Sequence, residues 1–262
     1  MPEGHTIHRI ARDHSKFFRG EKLHFSSPQG RFTDDAKKIN RRPIQDVTAH
    51  GKHLFYHFSK RTTLHVHLGL YGKFKTHRLP LPDPKGAIRL RGIGDSRGFD
   101  LRGPTRCELL DSISLQILLD RLGPDPLRSD ADPDLVWHRI SKSQTPIGAQ
   151  LLNQSIISGI GNVYRADILF ETKISPFRQG NSISREEFDT IWTLAKDWLR
   201  LGVKYNRIIT VDAKQIGKTP GKLLARERLL IYKKKTCPDC GSDVASDTVG
   251  ARTIYYCERC QH

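Results

Sequence analysis

The sequence is poor in long apolar runs, in acidic residues and in methionine, and each shortage narrows what the protein can be. No stretch of 18 apolar residues exists, so no membrane-spanning segment is predicted. The N-terminus lacks the apolar centre of a secretory signal. Four of the five cysteines fall within the last 26 residues, unlike the cysteines of a secreted disulfide scaffold. These features predict a cytoplasmic protein without a membrane partner.

Acidic residues are strongly outnumbered. The 262 residues include 44 Lys and Arg against 28 Asp and Glu, a formal net charge of +16. Such an excess says little about fold but favours a polyanionic partner such as nucleic acid. A ribosome-associated protein, or one that is merely basic, would show the same charge. The length suits one large domain or, more readily, two.

Hydrophobic spacing predicts a mixed α+β chain in three parts. Residues 1–111 are predicted to be strand-rich behind one amphipathic helix, which begins at Gly4 and is closed by Gly20. Within this part, the alternation over residues 64–70 places Leu64, Val66, Leu68 and Leu70 on one side of a strand, opposite Thr63, His65, His67 and Gly69.

Residues 112–226 carry helical patterns punctuated by Gly and Pro. The strongest helix follows Ser184, which forms a capping-box pattern with Glu187, and is predicted to stop at Gly202. Residues 206–222 show no firm period and are predicted to form a loop. The third part, residues 227–262, is a small cysteine-rich tail.

The tail has the most specific local pattern in the sequence. Two CxxC pairs are separated by sixteen residues, the spacing of a structural zinc site with four thiolate ligands: Cys237, Cys240, Cys257 and Cys260. A redox dithiol would need only one pair. Four protein ligands leave no open position on the metal, so one zinc ion would hold shape and perform no chemistry. Gly250 marks a turn between the pairs that would present Arg252 at its tip.

Four motifs occur in order along the chain: "PEG" behind Met1, "GKHLF" near position 50, "GIGNVYRAD" in the helical part and "YYCERCQ" in the tail. Together they resemble the Fpg/Nei family of DNA glycosylases over nearly the whole chain. The resemblance implies a two-layered β-sandwich with flanking helices, a helix-two-turns-helix domain and a zinc finger. It also implies damaged DNA as the partner, bound in a cleft between the halves.

The resemblance identifies Pro2 as the nucleophile and Glu3 as the general acid. Removal of Met1, for which a following proline is permissive, would leave Pro2 with a free secondary amine. An α-amine has a reference pKa of roughly 7.7–8.0, so a neutral fraction exists near pH 7. Attack on C1′ of a damaged nucleotide would give an iminium, a cationic electron sink that promotes β-elimination. Glu3 would help open the sugar ring and then shuttle protons.

Further site residues are implied by the resemblance. Lys52 matches a hairpin lysine that assists catalysis and touches phosphate, and Arg252 matches a finger arginine that contacts DNA and supports δ-elimination. His67 and Asn162 match phosphate-contacting residues, the latter at a helix start. Arg121 lies where endonuclease VIII relatives carry a DNA-contacting arginine.

The sequence departs from the family in ways that bear on substrate. The only methionine is Met1, so the methionine-containing wedge of formamidopyrimidine-DNA glycosylases is missing. Leu70 and Tyr71 remain as candidates to fill the space left by an extruded base. This pattern favours an endonuclease VIII-like enzyme acting on oxidised pyrimidines, with an oxidised-purine glycosylase as the alternative. A second family Pro-Glu pair is replaced by His5 and Thr6, which leaves base selection open.

Other interpretations remain at this stage. A catalytically lapsed DNA-binding paralogue would have no reason to keep Pro2, Glu3, Lys52 and Arg252. An RNA- or ribosome-binding zinc-ribbon protein explains the charge and the tail but not the N-terminus. A metal site at His65 and His67 is disfavoured, because no carboxylate or cysteine lies close in sequence. The expected protein is a monomer that binds duplex DNA, with single-stranded or bubble DNA as a further possibility.

Overall fold

A computed structural model describes residues 2–59 and 61–262 and divides the chain between two units, Met1–Arg121 and Leu122–His262. The predicted removal of Met1 concerns a residue outside the described part. In the first unit the described helices are α1 (Gly4–Phe18), α2 (Thr33–Ile39) and α3 (Ser112–Asp120). Its described strands are β1 (His24–Ser26), β2 (Asp46–His50), β3 (His53–Ser59), β4 (Thr62–His67), β5 (Lys73–Arg78), β6 (Ile88–Ile93), β7 (Arg97–Arg102) and β8 (Arg106–Leu110).

These strands form two antiparallel four-stranded sheets, in the orders β1-β6-β7-β5 and β2-β3-β4-β8. One apolar core joins them: Phe25, Leu90 and Phe99 come from the first sheet and Leu54 and Val66 from the second. Alternate residues of each strand face this core, as the two-residue strand period requires. The predicted two-layered sandwich in an α+β chain is confirmed.

Helix α1 is amphipathic and packs its apolar side against the sandwich core. Ile7, Ala11 and Phe18 are buried in that core. The buried His14 is held between two side chains, with Nδ1 2.6 Å from Tyr56 Oη and Nε2 3.1 Å from Thr76 Oγ1. Burial lowers the pKa of His14 to about 3, so its imidazole is neutral near pH 7.

The alternation predicted for residues 64–70 holds only as far as Leu68. Leu64, Val66 and Leu68 are buried, but β4 ends at His67 and Leu70 is 45% exposed. The chain turns at Gly69, whose φ is +64°, and the turn carries Leu70 out of the strand. Predicting Leu70 on the same side of one strand as Leu64, Val66 and Leu68 was therefore wrong.

The second unit is helical and ends in a β-hairpin. Its described α-helices are α4 (Pro133–Ser141), α5 (Ile147–Gln150), α6 (Asn162–Glu171) and α7 (Arg185–Tyr205), and its strands are β9 (Ala245–Val249) and β10 (Arg252–Tyr256). None of the described helices is both long and apolar enough to cross a membrane.

The predicted start of helix α7 is confirmed, whereas its predicted end is wrong. The capping box is confirmed, since Ser184 Oγ accepts from the Glu187 N–H at 3.2 Å while Glu187 Oε2 accepts from the Ser184 N–H at 2.8 Å. Gly202 does not end the helix, which continues to Tyr205. Asn206, with φ +55°, is the left-handed residue that terminates it.

Candidate catalytic and nucleic-acid site

The predicted nucleophile and acid lie at the start of α1. Pro2 is half-buried, and Glu3 is the extended residue directly before the helix, where its carbonyl oxygen accepts from the Thr6 N–H at 2.9 Å. The Glu3 side chain is completely buried. After removal of Met1, the secondary amine of Pro2 would therefore lie next in sequence to a carboxyl group that is shielded from bulk water. Such shielding shifts the pKa of an acid and can suit it to proton transfer.

Lys52 lies in the tight turn between β2 and β3, directly after Gly51, whose φ is +56°. Helix α1 packs along β2, and Ser15 Oγ donates to Asp46 Oδ1 at 3.0 Å near the beginning of that strand. From Ser15 back to Gly4 the helix spans about 16 Å, while β2 spans about 13 Å. The helix start therefore lies towards the end of the sheet where the Lys52 turn is found.

His67 ends β4 and lies directly opposite His53 across the β3–β4 ladder. The two imidazole rings are 4.8 Å apart at an interplanar angle of 53°. Burial lowers the pKa of His53 to about 3, helped by repulsion from His65, His67, His50 and Lys52, and burial likewise lowers the pKa of His67. Near pH 7 His53 and His67 are therefore neutral, and positive charge here comes from lysine and arginine.

The turn after β4 exposes two large side chains. Leu70 is 45% and Tyr71 is 85% exposed. Gly69 precedes them, and a Cβ at that position would overlap the Thr105 side chain, which explains why no larger residue stands there. Arg121, also predicted to contact DNA, is exposed at the C-terminal end of α3, where its backbone N–H donates to the Leu118 carbonyl at 3.3 Å.

In the second unit, Asn162 is the first residue of α6 and faces the β-hairpin. Its Nδ2 donates to the Thr253 carbonyl at 2.7 Å, and its Oδ1 accepts from Arg165 Nη2 at 2.5 Å. The completely buried Arg165 also donates from Nη1 to the carbonyls of Gly148 and Val249, at 3.0 and 2.7 Å. Helix α6 thus fixes both strands of the hairpin and the short helix α5.

Arg252 is the exposed first residue of β10, beside the hairpin turn. The turn residues Gly250 and Ala251 have φ values of +63° and +57°, the geometry of a type I′ turn. The Arg252 carbonyl accepts from Arg165 Nη2 at 3.3 Å, which leaves the backbone held while the guanidinium faces outward. The predicted turn at Gly250 is confirmed, and Arg252 follows this turn directly.

A buried carboxylate anchors the segment that leads into the tail. Asp167, on α6, accepts hydrogen bonds from Thr210 Oγ1 at 2.5 Å and from the backbone N–H groups of Leu230, Ile231 and Tyr232 at 2.9–3.0 Å. Burial nevertheless raises the pKa of Asp167.

At the other end of the tail, Gln261 Oε1 accepts from the Cys257 N–H at 2.8 Å and its Nε2 donates to the Ile174 carbonyl at 2.9 Å.

The four tail cysteines converge. Their sulfurs all lie within 4.8 Å of one another, with Cys237 Sγ 3.9 Å from Cys260 Sγ and Cys240 Sγ 3.5 Å from Cys257 Sγ. Zn–S bonds of about 2.3 Å in a tetrahedron separate sulfurs by about 3.8 Å, so the donor set fits zinc. Among the described residues this is the one group of three or more His, Cys, Asp or Glu side chains that could hold a metal.

The structure therefore groups the predicted residues within each unit. Lys52 and His67 gather around His53 in the first unit, and Asn162 and Arg252 gather around Arg165 in the second. Sequence reasoning missed His53, Glu108, Arg165 and Asp167. The signal for Arg165 and Asp167 was a pair of charged residues with mostly apolar neighbours on either side in the helix, a pattern typical of buried polar anchors.

Two protein-family descriptions match the chain. Residues 1–107 match the formamidopyrimidine-DNA glycosylase N-terminal domain, and residues 122–213 match the formamidopyrimidine-DNA glycosylase H2TH domain. The helix-two-turns-helix domain that the resemblance implies is thereby confirmed. The two matches leave the cysteine tail outside them.

Similar proteins extend this match over the whole chain. Proteins named Endonuclease 8 1 from Mycobacterium tuberculosis and Mycobacterium bovis are 43% identical over 267 residues, covering 100% of this chain and of theirs. A formamidopyrimidine-DNA glycosylase from Syntrophomonas wolfei is 34% identical over 232 residues, covering 83% of this chain and 82% of its own. The fold resembles that of Lactococcus lactis Fpg in complex with N7-benzyl-Fapy-dG-containing DNA, with a TM-score of 0.81, 22% identity and 99% coverage of both chains.

Proposed function

Because the chain belongs to the Fpg/Nei family of DNA glycosylases, we propose that it removes oxidised pyrimidine bases from DNA and then nicks the strand as an AP lyase. The observation that carries the proposal is the Pro2–Glu3 pair at the start of α1, with the Glu3 carboxyl completely buried. The full-length 43% identity to proteins named Endonuclease 8 1, together with the missing methionine wedge, favours pyrimidine lesions over oxidised purines.

The chemistry assigns a separate task to each of the two residues. Once Met1 is removed, the neutral Pro2 amine forms a bond to C1′, and the damaged base departs with the electron pair of the glycosidic bond and takes up the proton that the Pro2 nitrogen loses. Glu3 donates a proton to the ring oxygen as the sugar opens, leaving an iminium at C1′. The Glu3 carboxylate then accepts a C2′ proton, and the 3′ phosphate is expelled by β-elimination. A second elimination, supported by Arg252, removes a C4′ proton and expels the 5′ phosphate.

DNA phosphates would be held by contacts from both units. Lys52 supplies charge on the β2–β3 turn, while His67, kept neutral by burial, supplies an N–H donor. On α6, one Nδ2 hydrogen of Asn162 is donated to Thr253, and the second is the one we assign to a phosphate. Arg121 and Arg252 add exposed guanidinium groups, which suit phosphate recognition.

The exposed pair Leu70 and Tyr71 would occupy the space that an extruded base leaves in the duplex. Two apolar side chains on one turn, without a methionine wedge, form a small filler. The enzyme would therefore depend less on the opposing strand and would also accept single-stranded or bubble DNA.

A zinc ion held by Cys237, Cys240, Cys257 and Cys260 would stabilise the hairpin and thereby place Arg252. With four thiolate ligands the ion is a structural support and takes no part in catalysis. We propose that the protein acts as a monomer, which a molar mass of one chain in light scattering would establish.

The decisive experiment is borohydride trapping of the mature protein. Protein whose N-terminus is established as Pro2 by intact mass is mixed with an oligonucleotide containing a thymine glycol or an abasic site, and sodium borohydride is added. A covalent adduct mapped by mass spectrometry to Pro2 supports the proposal. Protein that retains Met1, which has no proline amine, is the matched control and should give none.

The same assay separates the alternatives. No adduct from protein beginning at Pro2 would leave a DNA-binding paralogue without catalysis. Faster trapping with 8-oxoguanine than with thymine glycol would make the enzyme an oxidised-purine glycosylase. Paired single-stranded and duplex substrates measure dependence on the opposing strand.

A further inference from the structure

Three side chains on the outer face of the β2-β3-β4-β8 sheet form a continuous hydrogen-bonded chain that the proposed reaction leaves unused. Glu108 Oε1 lies 3.0 Å from His65 Nδ1, and His65 Nε2 lies 2.9 Å from His53 Nδ1. The ladder enforces this order, because β8 places Glu108 directly opposite His65. His65 is 2% exposed, and the Phe55 ring stacks on it at 5.3 Å.

The chain fixes the proton positions on both imidazoles. A carboxylate can only accept, so the hydrogen of neutral His65 is on Nδ1 and its Nε2 is an acceptor. His53 must then donate from Nδ1, which leaves its Nε2 with a lone pair. Burial lowers the pKa of both histidines and so keeps them neutral near pH 7.

His53 stands beside two of the predicted phosphate ligands of the first unit, Lys52 and His67. It follows Lys52 in the chain and faces His67 across the ladder, with ring centres 4.8 Å apart. We propose that the chain Glu108–His65–His53 positions His67. The chain holds the His53 ring in one place and one tautomer, and the His67 ring that packs against it thereby presents its N–H to a DNA phosphate. This inference rests on the proposed function and adds His53 and His65 as positioning residues.

A double-mutant cycle on DNA affinity tests whether the chain acts through His67. The probe is a duplex containing a tetrahydrofuran abasic analogue, which cannot form a Schiff base. Glu108→Leu removes the acceptor and should weaken binding about five- to tenfold, the range for one well-formed hydrogen bond. His67→Ala should weaken binding at least as much, and the double variant should bind no more weakly than His67→Ala alone. Effects that multiply would overturn the inference.

Two matched variants separate positioning from general damage. Glu108→Gln keeps an oxygen that can accept from His65 and should bind within about twofold of the wild type. His57→Asn alters a histidine on the same strand and face that bonds Thr48 and Thr63 instead of the chain, and it should also bind normally. Loss of affinity in His57→Asn equal to that in Glu108→Leu would mean that the whole sheet face, rather than this chain, matters.

Proton positions can be measured in the wild-type protein, so the test survives a variant that fails to fold. Long-range ¹H–¹⁵N correlation spectra of the imidazoles should show His53 and His65 both protonated at Nδ1. Protonation of either at Nε2 would contradict the inference. Failure of the proposed function is distinct: the wild type would then bind the abasic analogue no more tightly than undamaged duplex.

Discussion

Arg165 Nη1 lies 2.7 Å from the carbonyl oxygen of Val249, and this bond joins α6 to the last residue of β9. The same guanidinium reaches the carbonyls of Gly148 and Arg252. The position of the predicted DNA-contacting finger arginine thus depends on a buried residue that is 87 positions away in sequence.

Replacing Arg165 by methionine keeps the volume of the side chain but removes these donors. Buried carbonyls would lose their partners, and we expect the free energy of unfolding of the second unit to fall by about 2–4 kcal/mol in urea titrations. Arg185→Met, which removes exposed ion pairs to Asp134 and Asp189 and cation–π contacts with the Trp137 and Phe188 rings, should cost only about 1 kcal/mol. Equal losses in the two variants would contradict the assigned role.

Glu3→Gln should separate base removal from reaction at an existing abasic site. The variant cannot donate the proton that opens the sugar ring, so excision of thymine glycol should fall at least about a hundredfold. An abasic sugar already opens to an aldehyde in water, so trapping on abasic DNA should fall far less. Single-turnover rates on the two substrates measure the difference, and an equal loss on both would argue against the acid role.

Zinc removal should disable the hairpin without unfolding the sandwich. We expect one zinc per chain by elemental analysis, and a Cys237→Ser variant that holds less than the wild type. Its affinity for abasic-analogue DNA should fall at least about tenfold, because Arg252 loses its support. The near-ultraviolet signal of the aromatic sandwich core should persist, and its loss would show that the zinc site stabilises more than the tail.

Buried His14 should make the protein less stable in acid. Its folded pKa of about 3 lies below the ordinary value of 6.5, so between these values the unfolded chain binds a proton that the folded chain does not. The contribution of neutral His14 to the free energy of unfolding is therefore fully present above pH 6.5. It is lost as pH falls towards 3, at up to about 1.4 kcal/mol per pH unit. His14→Gln should show a shallower dependence in urea titrations, whereas His24→Gln, at an exposed position, should keep the wild-type slope.

Gly69 and Gly86 form a matched pair for measuring the close contact at Thr105. Both have positive φ, +64° and +73°, but a Cβ at Gly86 meets nothing within 4 Å, whereas one at Gly69 overlaps Thr105. Gly86→Ala should cost about 1 kcal/mol of strain, and Gly69→Ala about 1–3 kcal/mol more. Thermal unfolding of the two variants measures this difference, and equal costs would contradict it.

Local patterns accounted for much of what the sequence predicted correctly. The capping box of α7 involves residues three apart, and the cysteine pairs each span one tight turn, so neither needed knowledge of the fold. The end of α7 was mispredicted because glycine inside a helix costs only about 1 kcal/mol. That cost is too small to stop a helix whose buried face continues to pack.

The polar anchors could not be found in this way, since their partners are distant in sequence. Glu108 is 43 residues from His65, and Asp167 is 43 residues from Thr210 and more than 60 from the backbone groups it binds. Only the strand register and the helix packing bring them together. No acidic residue lies near His65 in the sequence, whereas the β4–β8 ladder places Glu108 opposite it.

Asp167 and Arg165, two residues apart on α6, also determine whether the tail can be transferred to another protein. Zinc-binding segments are often exchanged between proteins as self-sufficient cassettes, but this one has its lead-in backbone satisfied by Asp167 and its hairpin satisfied by Arg165. A chimera that transplanted residues 227–262 alone would leave carbonyl and N–H groups of the tail without these partners in the host, and would deprive the Asp167 and Arg165 side chains of them in the donor. Helix α6 and the tail therefore have to be transferred together, and a substitution in one limits which substitutions the other tolerates.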